Sequence, residues 1–455
     1  AVGCVGGHNW SPALDAIAAE GVMFRRAVTS APDCIPARFA LATGLYPHQT
    51  GIWSNGQVAL APAAWNWIKA LRESGYQTSL FGKTHFHETA QASGDLRDGL
   101  ALMREYGFDE VDEIAGPRGS MHTLSNMTEG WRDAGLWDPY RRDFEERFAT
   151  KPYLVRPSPL GQNYYYDTYV GQRATEYLSS CPEREPWFCW VSFGGPHEPW
   201  DAPPPYDRMY EPRDMPKPLE RTRDYDKAEG LLGRLFKSAV QAPPLTPGEV
   251  AEMRANYAGN VRLIDDQIRI IIDTVKARGF YENTLVIFAS DHGEMNGDHG
   301  LIYKRNFLAS AVEIPLIVRP PGPSSRIASH TASEALVELI DIGPTVLDYA
   351  GLPSPPWSGA RSLRPLMEGR TPAHRSFVVS EFAGYLMIAN QRGKAEFTPD
   401  RHPTLLFDRD ADPSEQSNLI EEWKSSPLAA ELEIHLQEHL AQNSEIFATG
   451  QRRLD

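Results

Sequence analysis

The chain has 455 residues and carries 60 acidic against 45 basic side chains, a net charge of −15. That balance argues against a general nucleic-acid binder, whose affinity rests on cationic contacts to phosphate. Aromatic residues at 10% exclude a disordered chain, and no apolar run approaches the ~18 residues of a membrane span. Four cysteines are too few for a disulfide scaffold. Cys189 lies in the apolar run 187–193 and reads as a buried thiol rather than a partner for Cys181, and Cys4 reads as packing. No signal peptide or transit segment is legible. Because the first residue is Ala1 and not Met, the compartment stays open between cytoplasm and periplasm.

In chain order, Ser11-Pro12 and Gly21 bracket a helix at 11–20, with a polar cap and first-turn proline at one end and a stop at the other. Pro36 in a first turn and Gly44 past the end mark a short helix that begins at Cys34. A helix at 61–74 ends at Gly75 and leads into a strand at 77–81. Further strands are expected at 187–193, 284–289 and 315–318. Between the first two of these lies a long helix, 246–278, which opens Thr-Pro-Gly-Glu and carries Met253, Tyr257, Ile264 and Ile271 at helical spacing. Asp265 and Asp266 within it have no flanking ligands and read as a solvated or salt-bridged face. Pro-rich stretches at 198–205 and 319–323 are loops at strand ends, and a third at 352–357 sits where the pattern changes. Beyond residue 372 three short strands, 376–382, 385–390 and 404–407, follow one another without helices, and a last helix spans 428–442. The pattern predicts an α/β fold: a large mixed, mostly parallel sheet flanked by helices over residues 1–372, and a smaller antiparallel α+β unit over residues 373–455.

Chemistry collects at the carboxyl ends of the strands, where open α/β sheets bind ligands. Gly82-Lys83-Thr84-His85 follows one strand, Gly194-Gly195-Pro196-His197 the next, and Ser290-Asp291-His292-Gly293 a third. A lone strand-end histidine is more often structural than catalytic. Three such turns nonetheless deliver Lys83, His85, His197, Asp291 and His292 to one rim. Cys34 sits at the amino end of its helix, where unpaired N–H groups and the helix dipole favour an anion. Together these residues point to an anion site with a metal.

The segments CIPAR and ATGLYPHQTG, then GYQTSLFGKTH, the GGPH turn and SDHGEMNGDHG, in this order, resemble the sulfatase family of the alkaline phosphatase superfamily. LLFDRDADPSEQSNLIEE resembles that family's closing segment. The resemblance implies an alkaline phosphatase-like fold and hydrolysis of a sulfate monoester, of an aryl alcohol or a carbohydrate, to alcohol and inorganic sulfate. It also implies that a formylglycine-generating enzyme oxidises Cys34 to formylglycine. One hydroxyl of the hydrated aldehyde then attacks sulfur and expels the alcohol; the second loses its proton and eliminates sulfate. Carried over by position, Arg38 orients the formylglycine, Lys83 and Lys304 clamp sulfate oxygens, His85 hydrogen-bonds the formylglycine hydroxyl, and His197 protonates the leaving alcohol. Arg305 adjoins Lys304, so the register of that loop stays open. Asp291 and His292, with the oxidised Cys34, would hold a divalent cation. Ca²⁺ is expected, with Mg²⁺ or Mn²⁺ tolerated because one donor is an imidazole. Asn55 is expected to touch substrate, and Trp53 and Trp200 either line the cleft or pack.

Two departures from the family pattern matter. The family's first strand, which ends in acidic residues that complete the metal site, should come just before a segment like AVGCVGGHNW, and here nothing does. Asp15 lies inside the first helix and Asp33 belongs to the Cys34 turn, so the expectation is a chain lacking that strand and binding its metal weakly. His292 stands where many relatives have Asn. Two rival readings stay in view: a phosphonate monoester or phosphodiester hydrolase of the same superfamily, and a non-catalytic anion-binding relative. The phosphonate hydrolases tend to lack the lysine of GKxH, so Lys83 favours the sulfatase. No dedicated cage for a quaternary ammonium is legible, which places choline sulfate behind aryl and carbohydrate sulfates.

Overall fold

A computed structural model describes residues 2–7, 9–56, 64–86, 94–150, 154–322, 332–354 and 359–442. Its strands in chain order are β1 (Val22–Val28), β2 (Gln77–Gly82), β3 (Glu110–Glu113), β4 (Trp187–Ser192), β5 (Val286–Ala289), β6 (Leu316–Arg319) and β7 (Ala332–Glu338), then β8 (Val378–Phe382), β9 (Tyr385–Ala389), β10 (Gly393–Phe397) and β11 (Pro403–Asp408). The first seven form two sheets, a parallel one ordered β3-β2-β4 and a mixed one ordered β5-β6-β1-β7. In the mixed sheet β1 runs parallel to β7 and antiparallel to β6. The α/β class with mixed sheets flanked by helices is as expected, but the main sheet is divided. Among the described residues β4 and β5 each end a sheet, and a cavity of about 640 Å³ lies between them. The long helix Pro247–Ala277 walls that cavity with Ile264, Ile268 and Ile271.

Register places the site. Gly82 pairs with Ser192, so β2 and β4 end at one level and release Lys83 and the Gly194 turn side by side. Gly82 has φ 112°, and a Cβ there would come within 1.9 Å of the Ser192 carbonyl oxygen, so only glycine fits. The long helix begins as expected: the Thr246 side chain accepts from Glu249 N–H, and Glu249 reaches back. The helix expected at 61–74 is shorter, Trp67–Glu73, because Asn66 accepts from Lys69 N–H at 2.9 Å and caps it there; residues 61–63 lie outside the described set. Residues 323 and 355–357 of the proline-rich loops also lie outside it.

The reading of Asp265 is corrected. It is fully buried and accepts the Ala13 and Leu14 N–H groups at 3.0 and 2.9 Å, capping the helix Pro12–Ala19 from the side of the long helix. Asp266 is salt-bridged as expected, to Arg262 at 2.8 Å. All four cysteines are free.

The C-terminal sheet is antiparallel and has four strands, β11-β10-β9-β8, where three were expected. The missed strand is β10, whose sequence GKAEF is short and half charged; Ala395 and Phe397 enter the core while Lys394 and Glu396 are buried on the opposite face. Lys394 pairs with Glu415 and donates to the Phe307 carbonyl at 2.8 Å; Glu396 accepts from Thr404 Oγ1 at 2.8 Å. The helix Pro427–Gln442 lays Leu428, Leu432 and Leu436 on this sheet. Glu381 on β8 joins the unit to the rest of the chain. It accepts from His48 N–H (2.9 Å) and its carboxylate oxygen lies 2.7 Å from His48 Nδ1 and 3.3 Å from His439 Nε2. Burial opposes its ionisation, yet His48 and His439 hold it down at about 2. With its oxygens so engaged, this trio is a structural tie.

Candidate active site

Cys34 opens the helix Cys34–Thr43. Asn55 Oδ1 accepts from Ile35 N–H at 2.9 Å, and Asn55 N–H donates to Asp33 Oδ2 at 3.0 Å. Asn55 therefore shapes the first turn of the helix that begins at Cys34, and it stands outside the cavity wall. Cys34 is 2% exposed, with Sγ 3.2 Å from His292 Nε2 and 3.9 Å from Lys83 Nζ. Burial would raise its thiol, but Lys304, Lys83, His292 and a hydrogen bond from His197 outweigh it and push the group well below the ordinary thiol range. The helix end is thus an anion site built from four cationic or hydrogen-bonding side chains.

Arg38, one turn further on, ties the strand ends together. Its Nε donates to Asp291 Oδ2 at 2.8 Å, and one terminal nitrogen donates to the Lys83 carbonyl (2.5 Å) and Ser192 Oγ (2.8 Å). Burial resists ionisation of Asp291, yet Arg38 and His292 hold its carboxyl below the usual carboxylate range. Burial pushes the Lys83 ammonium down, with Cys34 pulling it up and Arg38 repelling it. His85 adopts φ 63° beyond β2 and hydrogen-bonds the Ala115 backbone, while its buried Nδ1 has no partner. Burial and the neighbouring Lys83 push this imidazole well down, so it is neutral.

His197 Nδ1 lies 2.8 Å from the Glu198 carbonyl oxygen and 2.9 Å from Glu198 Oε2, which leaves its other ring nitrogen for Cys34. Burial works against its charge, but Glu198 raises the imidazole above its ordinary value. Glu198 also accepts from Arg118 at 2.7 Å, and against burial its carboxyl is held at about 2 by His197, Lys304 and Arg118. Lys304 reaches the site. Burial disfavours its charge, yet Cys34, Glu198, Asp33 and Glu294 lift it above the ordinary ammonium range. Arg305 turns the other way, its Nε 3.2 Å from Asp33 Oδ1, which resolves the register of that loop.

Cys34, Arg38, Lys83, His197, Asp291, His292 and Lys304 line one cavity. Glu198 and Glu294 belong with them and were not singled out from the sequence. Each directly follows a motif, GGPH and SDHG, so adjacency was the available signal. Glu294 Oε1 accepts from Asn296 N–H (3.1 Å) and Tyr303 N–H (2.5 Å), folding the chain back to present Lys304. Trp200 is packing: it is 2% exposed and stacks on Tyr303 with centroids 6.0 Å apart.

Cys34, Asp291 and His292 bring ligand atoms within 4.8 Å of one another and form a candidate metal group. His292 Nδ1 lies 2.8 Å from the Gly293 carbonyl and donates to it, so Nε2, turned toward Cys34, is the nitrogen a metal would use. This donor set fits a divalent cation but supplies one carboxylate, whereas Ca²⁺ takes six to eight oxygens. The cavity between β4 and β5 opens onto the same atoms and leaves room for further oxygen ligands.

Comparison with known proteins gives the family. Residues 1–352 match the sulfatase family model, and residues 297–442 match that of the N-sulphoglucosamine sulphohydrolase C-terminal region. The chain is 27% identical to a choline-sulfatase of Rhizobium meliloti, over 90% of this chain and 78% of that protein. It is 30% identical to the multifunctional alkaline phosphatase superfamily protein PehA of Trinickia caryophylli, over 90% and 85% of the two chains. The phosphonate monoester hydrolase of Agrobacterium radiobacter superposes with a TM-score of 0.77 at 25% identity, covering 98% of this chain and 93% of that one. Motifs, site geometry and family match converge: the chain belongs to the sulfatase family, the sulfuric ester hydrolases of the alkaline phosphatase superfamily.

Proposed function

We propose that this protein hydrolyses a sulfate monoester of a carbohydrate or aryl alcohol, with Cys34, as formylglycine, supplying the nucleophile. The observation that carries the reading is the buried Cys34 sulfur, held among Lys83, Lys304, His292 and His197 at a helix amino end. That sulfur marks the place of the hydrated aldehyde oxygens. The hydrate supplies one oxygen to attack sulfur and a second hydroxyl through which sulfate leaves. Asp291 and His292 would hold a divalent cation, with Ca²⁺ the expected metal, which would supply polarisation of the sulfate. Lys83 and Lys304 both act on the nucleophile and are suited to neutralise charge on the sulfate oxygens. His85, neutral and with Nδ1 unpartnered, is suited to accept from the nucleophile's hydroxyl. His197 holds a proton through its Glu198 partner and aims it at the leaving alcohol.

The Glu198 contact gives a pH test. Glu198 raises His197, so His197 stays protonated to higher pH and activity falls as pH rises through its pKa. In Glu198→Gln that alkaline limb of kcat moves to lower pH and kcat drops by about tenfold at the plateau. A limb that stays in place removes His197 from the acid role.

The second reading, a phosphonate monoester hydrolase, is favoured by the likeness to the Agrobacterium enzyme. Lys83 supports the sulfatase. Parallel kcat/KM measurements on 4-nitrophenyl sulfate, a 4-nitrophenyl phosphonate monoester, choline sulfate and a sulfated glucosamine decide. Expected is a sulfate preference of at least ~10-fold, or ~1.4 kcal/mol in transition-state binding; faster phosphonate turnover reverses the assignment. The C-terminal match to the N-sulphoglucosamine sulphohydrolase region supports a sugar sulfate as the best of the four.

A further inference from the structure

Behind the His197 turn lies a buried polar cluster that the proposed chemistry does not use. Asp167, at the start of the helix Tyr166–Ser180, is fully buried, and its Oδ1 accepts the N–H groups of Gly194 (2.7 Å) and Gly195 (3.0 Å). Its Oδ2 has no partner. Neither does Asn260 Oδ1 on the long helix, whose Nδ2 donates to Tyr165 Oη at 2.8 Å. Both orphan oxygens crowd Gly195: a Cβ there would meet Asp167 Oδ2 at 2.3 Å and Asn260 Oδ1 at 2.7 Å. Two buried acceptors facing the same point are costly unless one carries a hydrogen, and of these two groups the carboxyl can.

We propose that Asp167 is a positioning residue that works as a neutral carboxylic acid. Oδ1 holds the Gly194 and Gly195 amides, Oδ2–H donates to Asn260 Oδ1, and the clamp fixes the turn that presents His197 to Cys34. The proposal rests on His197 being the proton donor of the reading above. Gly195 is then explained as well, since any side chain there would displace the clamp.

The surroundings favour the proton. Burial pushes the Asp167 carboxyl up to about 7 against the pull of the two amides. Asp201, from the loop beyond His197, adds to the rise, and Lys83, from the end of β2, opposes it. Tyr166 on the same helix, Tyr165 just before it and Tyr140 on the helix Trp137–Thr150 are kept neutral by burial. Arg147 and Asp143 act on Asp201 from behind with opposite signs. The sign for stability follows. An unfolded aspartate releases its proton near 3.8 and the folded one near 7. This group's contribution is full below 3.8 and lost as pH rises to 7.

Two variants test this. Asp167→Asn keeps an acceptor for both glycine amides and places an NH₂ donor against Asn260 Oδ1 at every pH. It is expected to hold kcat and the hydrogen-exchange rates of the Gly194 and Gly195 amides within about threefold of the parent at pH ~6. At pH ~8 it is expected to resist urea better than the parent, because it has no proton to lose. Asp167→Ala is expected to speed exchange of those two amides by at least ~10-fold and to lower kcat by at least ~10-fold, with KM changing less. Asn behaving as badly as Ala, or an Asn variant with the parent's pH dependence of urea resistance, overturns the proposal. Should neither parent nor variants turn over a sulfate ester, the exchange and urea measurements still read the clamp, and only the sulfatase reading falls.

Discussion

Replacing Cys34 by Ala is expected to lower kcat/KM for an aryl sulfate by at least ~10⁴-fold, about 5.5 kcal/mol of transition-state stabilisation. The size follows from the placement of the residue. In the proposed reaction Cys34 supplies the attacking atom, and Lys83, Lys304, His197 and His292 converge on it to serve as charge and proton partners rather than as the attacking group. Removing it also leaves buried cations facing one another, so the variant should gain stability from added inorganic sulfate. At a hundred times its dissociation constant a bound anion contributes about 2.7 kcal/mol. The check is paired. Intact mass of the parent, expressed with the formylglycine-generating enzyme, should show Cys34 converted, and steady-state rates should show the Ala variant dead. An unmodified thiol in a fully active parent would make the thiolate itself the nucleophile. A fully modified parent without turnover on any sulfate or phosphonate ester would point to the anion-binding relative.

How much of this was legible in the sequence differs by element. Strand-end turns were legible because glycines and histidines mark them: Gly82, Gly195 and the Ser290-Asp291-His292 run stand where the register requires. Helix ends with side-chain caps were legible at Thr246 and misjudged by six residues near Asn66, whose cap competes with Ala-Pro signals upstream. Strands that bury charge were not legible. β3 reads EVDE and buries Asp112 and Glu113, β10 reads GKAEF and buries Lys394 and Glu396, and propensity treats both as exposed polar chain. The burial of Asp265 was invisible for the same reason: its partners, Ala13 and Leu14, lie 252 and 251 residues away and offer only backbone groups. Within the site, long-range pairings of Arg38 with Asp291 and of Lys304 with Glu198 needed the fold. The residue types alone already announced an anion pocket inside a chain of net charge −15, because a cleft focuses local field whatever the global balance.

The second large effect is expected at Arg38. Its guanidinium makes three hydrogen bonds, to the Asp291 carboxylate, the Lys83 carbonyl and Ser192 Oγ, and its side chain is 9% exposed. These partners sit on three separate strand ends, so one side chain sets the distance between the nucleophile helix, the lysine clamp and the candidate metal carboxylate. Arg38→Ala leaves Asp291 as a buried carboxylate without its main cation, a loss that typically costs about 3–5 kcal/mol. Arg38→Lys keeps the charge but not the fork, and the ammonium can serve at most part of this set. Denaturant midpoints should therefore fall in the order parent, Lys, Ala, while kcat/KM falls by ~10³-fold in Ala and by less in Lys. Inorganic sulfate binding, measured calorimetrically, should weaken in Ala because Lys83 loses the carbonyl anchor that orients it. The Lys variant separates the two contributions. If it recovers stability but not rate, the guanidinium's geometry is what the chemistry needs; if it recovers both, charge alone suffices. An Ala variant of parental stability and rate within tenfold would show that the strand ends are held by something other than this residue, and the site as described would have to be redrawn.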